Sequence, residues 1–587
     1  MRFSLCWFTW LLISSQCVVG AEPGWFFPEV DRETRTEGVT LYGVDDLGRV
    51  DTNAKQLALH VSNQDRGKSL APLGKWEGIE CLSIEVRFQV GGAGLKELVN
   101  SIEIPSRVAR LTVDIWGELP LHLCKAIGAL KSLTFLSLVC ASTPPECVAL
   151  LETLQTLRHL RFSCFDVASS SSPASVDGGF GYVGCSAVLR SISKLRALES
   201  LSIEMRHIPS IDFVPVASLP ALTALRSPSL TDDSLGVLAA KGTSIRTLDL
   251  SRSGLMFDSA PSVSDLGIPL LALMPQLESL SLAECPNVGD LGVVKLPTIA
   301  RLKRLSLDAC ESPQYPKHMA HLRREVFASQ DYRVSRFDAI ASLQGLTHLS
   351  LRGIVTLTDE EVARLGKRLP NLICLDLRNC VNVNKSGIAA LAAFTKLREL
   401  YCGLDRSAGM LPPDEPDLDA KCFGLVLALP ELEVFWAPLI GQKLKSPPPV
   451  PERGWAKLRA ISLSGWGIPD GELGAFVQSA SSATVLDISF TLTGAATVAA
   501  LCTRPTLAEL RADGCTGMTS KDVRSICASA SLTVLSIANN SWVNNDLLDQ
   551  LASVEKPPKI LVLSRYAVRD ESIAAYVKKT RLRVIER

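Results

Sequence analysis

The sequence predicts an α/β solenoid, with short parallel strands on a concave face, helices on a convex face, and the whole curved into a horseshoe. Three observations carry that prediction. An apolar hexad of the form L-x-x-L-x-L recurs along the chain, most neighbouring copies start 23 to 26 residues apart, and the second half of each unit has helical periodicity.

In chain order, the first element is MRFSLCWFTWLLISSQCVVGAE, where Arg2 precedes an apolar run from Phe3 to Val19 and Val19-Gly20-Ala21 offers small residues for cleavage. Residues 1–21 read as a signal peptide removed on export; an uncleaved anchor is the alternative, for which the run is short. Residues 22–53, with Trp25, Phe26 and Phe27, are expected to cap the first repeat. No later stretch is long and apolar enough to span a bilayer.

Residues 54–587 form the predicted solenoid. Clear hexads start at Leu133 (LTFLSL), Leu157 (LRHLRF), Leu198 (LESLSI), Ile245 (IRTLDL), Leu277 (LESLSL), Leu302 (LKRLSL), Leu346 (LTHLSL) and Leu372 (LICLDL). They continue at Leu397 (LRELYC), Leu458 (LRAISL), Ala483 (ATVLDI), Leu507 (LAELRA), Leu532 (LTVLSI), Pro558 (PKILVL) and Leu582 (LRVIER). Weaker copies start at Ala54, Ile79, Val108, Leu222 and Leu432. Each hexad predicts a strand with its leucines inward. The following segment predicts a helix: in TLTDEEVARLGKRLPN, Thr358 to Glu361 reads as a capping box, and Val362, Leu365 and Leu369 share one face. TSKDVRSICASAS and RDESIAAYVKKT repeat the plan. Neighbouring strands need about 4.8 Å and neighbouring helices about 8–10 Å, so the strands are expected on the inner curve.

The period stretches near residues 165–184, 251–264, 311–331 and 403–420, which are expected as inserts. In three of them the extra residues follow the strand, which predicts that they emerge on one rim, where loops on a rigid scaffold often carry recognition. SPPPVPERG (446–454) keeps the spacing but cannot form a helix, because prolines lack the amide donor. At the far end Leu582, Val584 and Ile585 predict a last strand open to an edge contact.

The hexads and their spacing resemble the leucine-rich-repeat superfamily over nearly all of residues 54–587. Cysteine follows the hexad start by eight residues at Cys285, Cys310, Cys380 and Cys515 and by seven at Cys140 and Cys164, with Asn540 in the same slot of its repeat. That pattern, with Thr or Ser before Asp opening the next helix, is similar to the cysteine-containing and ribonuclease-inhibitor-like classes. The chain resembles exported bacterial repeat proteins more than receptor ectodomains. A recurring polar slot after the strand is expected to hydrogen-bond the turn backbone, which makes Cys380 a scaffold residue. Cysteines usually pair outside the cytoplasm. Here ladder neighbours such as Cys285 and Cys310 would point in parallel, and mostly unbridged buried thiols are expected.

Lys+Arg and Asp+Glu both number 61, a balance that argues against a nucleic-acid surface or a polybasic membrane patch. No P-loop, G-x-S-x-G, H-E-x-x-H or close C-x-x-C is present. His318 and His321 form H-x-x-H in the third insert, which would need a further ligand to hold a metal. His159 and His348 occupy equivalent positions many repeats apart. No cofactor is expected.

The residues between the leucines of each hexad are expected to face the concave surface. In the middle of the arc these are Arg304, Asp308, His348, Arg352, Asp376, Arg378, Glu399 and Tyr401, continued by Trp436, with Asp487, Arg511 and Asp513 beyond. Trp, Tyr and Arg dominate binding hot spots, although an ordinary solvated sheet face would look similar. Asp376 and Arg378 are expected to form a surface ion pair. The function read from the sequence is a non-catalytic protein–protein interaction scaffold, secreted or periplasmic (cell envelope), that binds a protein ligand through the concave face and the rim inserts. The alternatives are a cytosolic-type adaptor resembling the repeats of ubiquitin-ligase receptors, and a metal-dependent enzyme built on the inserts.

Overall fold

The structure is a computed structural model that describes residues 39–42, 55–61, 65, 68–86, 101–164, 180–205, 210–242, 244–252, 262–310, 335–404, 418–439, 446, 448–449, 455, 457–529, 532–564, 567–580 and 583–586. The chain divides into two compact units, with the division between Leu343 and Gln344. The expected signal peptide, nearly all of the expected cap, most of each insert, and His318 and His321 lie outside the described residues.

In the first unit eleven strands are described. They are β1 (Val39–Tyr42), β2 (Gln56–Val61), β3 (Cys81–Val86), β4 (Arg110–Glu118), β5 (Phe135–Ser142) and β6 (His159–Cys164). Then follow β7 (Ser200–Met205), β8 (Ala224–Arg226), β9 (Thr247–Asp249), β10 (Ser279–Ser281) and β11 (Arg304–Ser306). Each pairs in parallel with the next. The second unit runs from β12 (His348–Ser350), β13 (Cys374–Asp376) and β14 (Glu399–Tyr401) through β15 (Val434–Trp436), β16 (Ala460–Ser462) and β17 (Val485–Asp487). It ends with β18 (Glu509–Arg511), β19 (Val534–Ser536), β20 (Ile560–Leu563) and β21 (Arg583–Glu586), again all parallel in sequence order. Both units therefore have the α/β repeat architecture of a leucine-rich-repeat-type solenoid, strand and helix alternating along the chain.

The hexad leucines set the register. Leu248, Leu280 and Leu305 pair across β9, β10 and β11 and are fully buried. Leu349, Leu375 and Leu400 do the same in the second unit. Each such side chain contributes about 1.5–3 kcal/mol of apolar burial, but only with both neighbours present. In most repeats the amide after the hexad start donates to the preceding repeat, as in Arg398 N to Ile373 O (2.8 Å) and Glu433 N to Arg398 O (2.8 Å).

Strand length divides the cysteine slots into two kinds. Most second-unit strands, and those from β8 onward in the first, span only three residues. In the repeats that carry a turn cysteine at the eighth position, the backbone at the seventh turns left-handed: φ is 58° at Glu284, 50° at Ala309, 62° at Asn379 and 60° at Gly514. This turn swings the next side chain inward, where its thiol donates to the strand-end carbonyl of the preceding repeat. Cys285 reaches Leu250 O (3.3 Å), Cys310 reaches Leu282 O (2.6 Å), Cys380 reaches Leu351 O (3.1 Å) and Cys515 reaches Ile488 O (3.3 Å). Asn540 donates from Nδ2 to Ala512 O at 2.8 Å in the same way. The expected backbone-bonding role of the slot holds. Cys140 and Cys164 differ: β5 and β6 stay extended through the seventh position, and their thiols belong to the strands themselves.

Helices pack against the helices of neighbouring repeats and are capped by them. Helix α1 (Asp470–Ser479) opens with Asp470, whose carboxylate accepts from Gly494 N (2.7 Å), Ala496 N (2.9 Å) and Thr497 N (3.0 Å) at the start of α2 (Ala495–Cys502). Asp265 accepts from Gly289 N (2.7 Å) and Gly292 N (2.8 Å), and Asp359 from Asn384 N (2.7 Å), in equivalent places. In the reverse direction buried Arg504 donates to Val477 O (2.9 Å) and Ala483 O, closing the C-terminal end of α1. The expected capping box at Thr358 takes a different form. The Thr358 hydroxyl donates to the Glu361 carboxylate and accepts nothing from the helix backbone, while Asp359 serves the next repeat. Thr231 and Thr519 do cap their own helices.

Among the described residues the expected preponderance of buried, unbridged thiols also holds, with one bridge added. Cys124 and Cys147 form a disulfide between successive helices, with Cα atoms 5.3 Å apart.

Candidate functional site

The strand face turned away from the hexad leucines carries the candidate residues, and each unit presents its own portion. In the second unit Asp376 ends β13 and Arg378 follows two residues later, so both lie on the same face. Their pairing is bidentate: Arg378 Nε lies 3.0 Å from Asp376 Oδ1 and Nη2 lies 2.6 Å from Oδ2, while the Arg378 amide donates to Oδ1 at 3.0 Å. The expected surface ion pair is instead buried, Asp376 being 1% and Arg378 5% exposed. Aromatic side chains of the following repeats account for part of this. The Arg378 guanidinium sits 5.4 Å from the Tyr401 ring centroid, and Tyr401 and Trp436 are themselves buried. A guanidinium against an aromatic face gains from the ring quadrupole, and Arg511 repeats the arrangement 5.2 Å from Trp436.

Glu399, half-buried at the start of β14, accepts from Tyr401 Oη and from Cys374 Sγ, both at 3.3 Å. Burial and the neighbouring Glu399 charge push both the Tyr401 hydroxyl and the Cys374 thiol up, so both stay protonated donors. His348 and Arg352 are half-buried on the flank of β12, with His348 Nδ1 2.9 Å from the Thr347 hydroxyl. Asp487 accepts from Ser462 (2.8 Å), and Asp513 accepts from Ser536 (2.6 Å) and Ala538 N (2.8 Å). The two aspartates thus brace neighbouring strands. Arg304 and Asp308, both half-buried, belong to the first unit.

A second group was not among the residues singled out from the sequence. On β6 to β9 of the first unit, Arg161, Glu204, Arg226 and Asp249 form a chain of charges. Arg161 Nη2 lies 3.8 Å from Glu204 Oε1, Arg226 Nε lies 3.7 Å from that same oxygen, and Arg226 Nε lies 3.6 Å from Asp249 Oδ2. Ser163 donates to Glu204 Oε2 at 2.6 Å. Burial alone would raise the Glu204 carboxyl, but Arg161, Arg226 and the Ser163 hydroxyl together hold it below its ordinary value. The two carboxylate side chains are 8% exposed, against 34% for Arg161 and 23% for Arg226. The arginine side chains are therefore paired with buried carboxylates and still partly exposed. The signal was readable: Arg161, Arg226 and Asp249 all stand four residues after their hexad starts. Glu204 stands at six, across the 165–184 insert from Arg161.

Among the described residues, no group of three or more His, Cys, Asp or Glu is placed to hold a metal ion, and no helix is long and apolar enough to cross a membrane.

No protein-family profile matches the chain, and no curated protein matches it. Among solved structures it is similar to the crystal structure of a TLR13–ssRNA13 complex, at 18% identity and a TM-score of 0.42 over 83% of this chain. The match spans 64% of that chain's length.

Proposed function

We propose that this protein is a non-catalytic binding scaffold, exported from the cytoplasm, that engages a protein partner through the strand face of its repeats. The observation that carries this reading is the Arg161–Glu204–Arg226–Asp249 chain on β6 to β9. Its carboxylates are buried and its arginines remain partly exposed, so little side-chain entropy remains to be lost on binding. Arginine held in this way suits bidentate recognition of carboxylates and backbone carbonyls. The cysteines favour the non-catalytic reading, because burial pushes thiols such as Cys310 and Cys527 up to about 12, and a protonated thiol is a poor nucleophile. Export is supported by the apolar run from Phe3 to Val19 and by the Cys124–Cys147 bridge. The rim inserts remain part of the proposal as flanking contacts.

The test uses immobilised full-length chain and extracts of the envelope and medium of its host. Arg161→Ala with Arg226→Ala alters the first unit, and His348→Ala with Arg352→Ala alters the second. A helix-side change, Lys241→Glu at the exposed last residue of the helix Asp232–Lys241, is the control. Loss of one captured protein with a strand-face pair and its retention with the control are expected. If both strand-face pairs retain every captured protein, the reading fails.

A further inference from the structure

The first unit carries a second pair of cysteines in a bridging position. Cys140 and Cys164 are directly opposed in the parallel register of β5 and β6. Adjacent strands stand about 4.8 Å apart, within the Cα separation of about 4.4–6.8 Å that a disulfide spans. The Thr143 hydroxyl contacts both thiols, at 3.1 Å from Cys140 Sγ and 3.8 Å from Cys164 Sγ. Cys140 Sγ and Cys164 Sγ also reach carbonyls of the opposite strand, Ser163 O at 3.9 Å and Ala141 O at 3.6 Å, but these contacts are longer than the 2.6–3.3 Å bonds that hold the thiols of Cys285, Cys310, Cys380 and Cys515. Cys140 is buried, whereas Cys164 is half-buried. The Cys124–Cys147 disulfide already joins the preceding repeat to the repeat that contains Cys140.

We propose that Cys140 and Cys164 are a redox modification site that closes to an inter-repeat disulfide by exchange with a small-molecule disulfide of the glutathione class. The Cys164 thiolate attacks one sulfur of the oxidised reagent, forming a mixed disulfide and releasing one thiol. Cys140 then loses its proton to solvent and attacks the Cys164 sulfur, expelling the second thiol. In sum two protein thiols are oxidised to one disulfide and one reagent disulfide is reduced to two thiols. With this bridge in place, the repeats starting at Val108, Leu133 and Leu157 are joined in series, the first link between helices and the second between strand ends. The neighbouring Cys164, and then burial, raise the Cys140 thiol, so the second step is the slow one and should accelerate with pH.

The experiment exposes folded full-length protein to oxidised glutathione, blocks remaining thiols, digests with trypsin without reduction and identifies linked peptides by mass spectrometry. The expected product joins three peptides, 111–125, 132–158 and 162–190, through Cys124–Cys147 and Cys140–Cys164, as located by fragmentation. Cys140→Ser should trap glutathione on Cys164. Cys164→Ser, at the more exposed position, should leave Cys140 as an alkylatable thiol and remove the rise in thermal midpoint that oxidation gives the parent chain. A parent chain that keeps glutathione on Cys164 without closing overturns the proposal. So does one in which both thiols stay alkylatable while Cys124–Cys147 remains bridged.

Discussion

At the residue scale, the Asp376–Arg378 pair shows how far burial changes an interaction. An exposed ion pair is worth about 0–1 kcal/mol, while removing one partner of a buried pair costs about 3–5 kcal/mol because the other charge is left uncompensated. Asp376→Ala should therefore destabilise the second unit by about 3–5 kcal/mol in denaturant unfolding. The double change Asp376→Ala with Arg378→Met should cost less than the sum of the two single changes. Additivity would show that the pair is not coupled. Glu204 makes a pH prediction. Its carboxyl is held below the ordinary value in the folded chain, so its stabilising contribution is complete above about pH 4.3 and is lost as pH falls through the folded value. Glu204→Gln should flatten that acid limb of stability, measured from about pH 5 to about pH 3. The sequence exposes the strand-face positions, since alternation fixes which residues turn away from the leucines. It hides their burial, because Tyr401 and Trp436 come from separate repeats and only the register brings them beside Arg378 and Arg511. The chain through Glu204 is hidden for a similar reason, since 41 residues separate Ser163 from the carboxylate it supports.

At the element scale, each helix depends on the repeat beside it. Asp470 belongs to α1 by sequence, yet its carboxylate satisfies three amides at the start of α2. Losing a capping carboxylate costs about 0.5–2 kcal/mol. Asp470→Ala should then speed hydrogen exchange at Ala496 and Thr497 while leaving the amides of its own helix unchanged. Faster exchange across α1 instead would place the cap where sequence alone puts it. The strands, the helices and their order are legible because leucine spacing and helical periodicity are local signals. The left-handed turn is only half legible. Gly514 and Asn379 suit it, but Glu284 and Ala309 adopt it without any preference of their own. There the stacked neighbours impose the backbone, and the Thr358 box gives way to Asp359 for the same reason.

At the scale of the whole molecule, charge balance governs behaviour in solution. With 61 basic and 61 acidic residues and a pI near 7.0, the chain has almost no net charge at neutral pH. Solubility should pass through a minimum near neutrality and rise on either side of it, as followed by turbidity at fixed protein concentration. A flat profile would mean that surface patches, not net charge, control association. Within each unit stability is a sum of repeats and their interfaces, so a damaged repeat should loosen its neighbours first. The forward carboxylate and the backward arginine have one more consequence. Asp265, Asp359 and Asp470 each hold the next helix by main-chain amides, which every repeat offers whatever its side chains. Repeats are thus interchangeable couplings, and a length of chain excised or duplicated between equivalent residues would rejoin with its clasps matched. Recombination could lengthen or shorten such a protein without inventing a new joint.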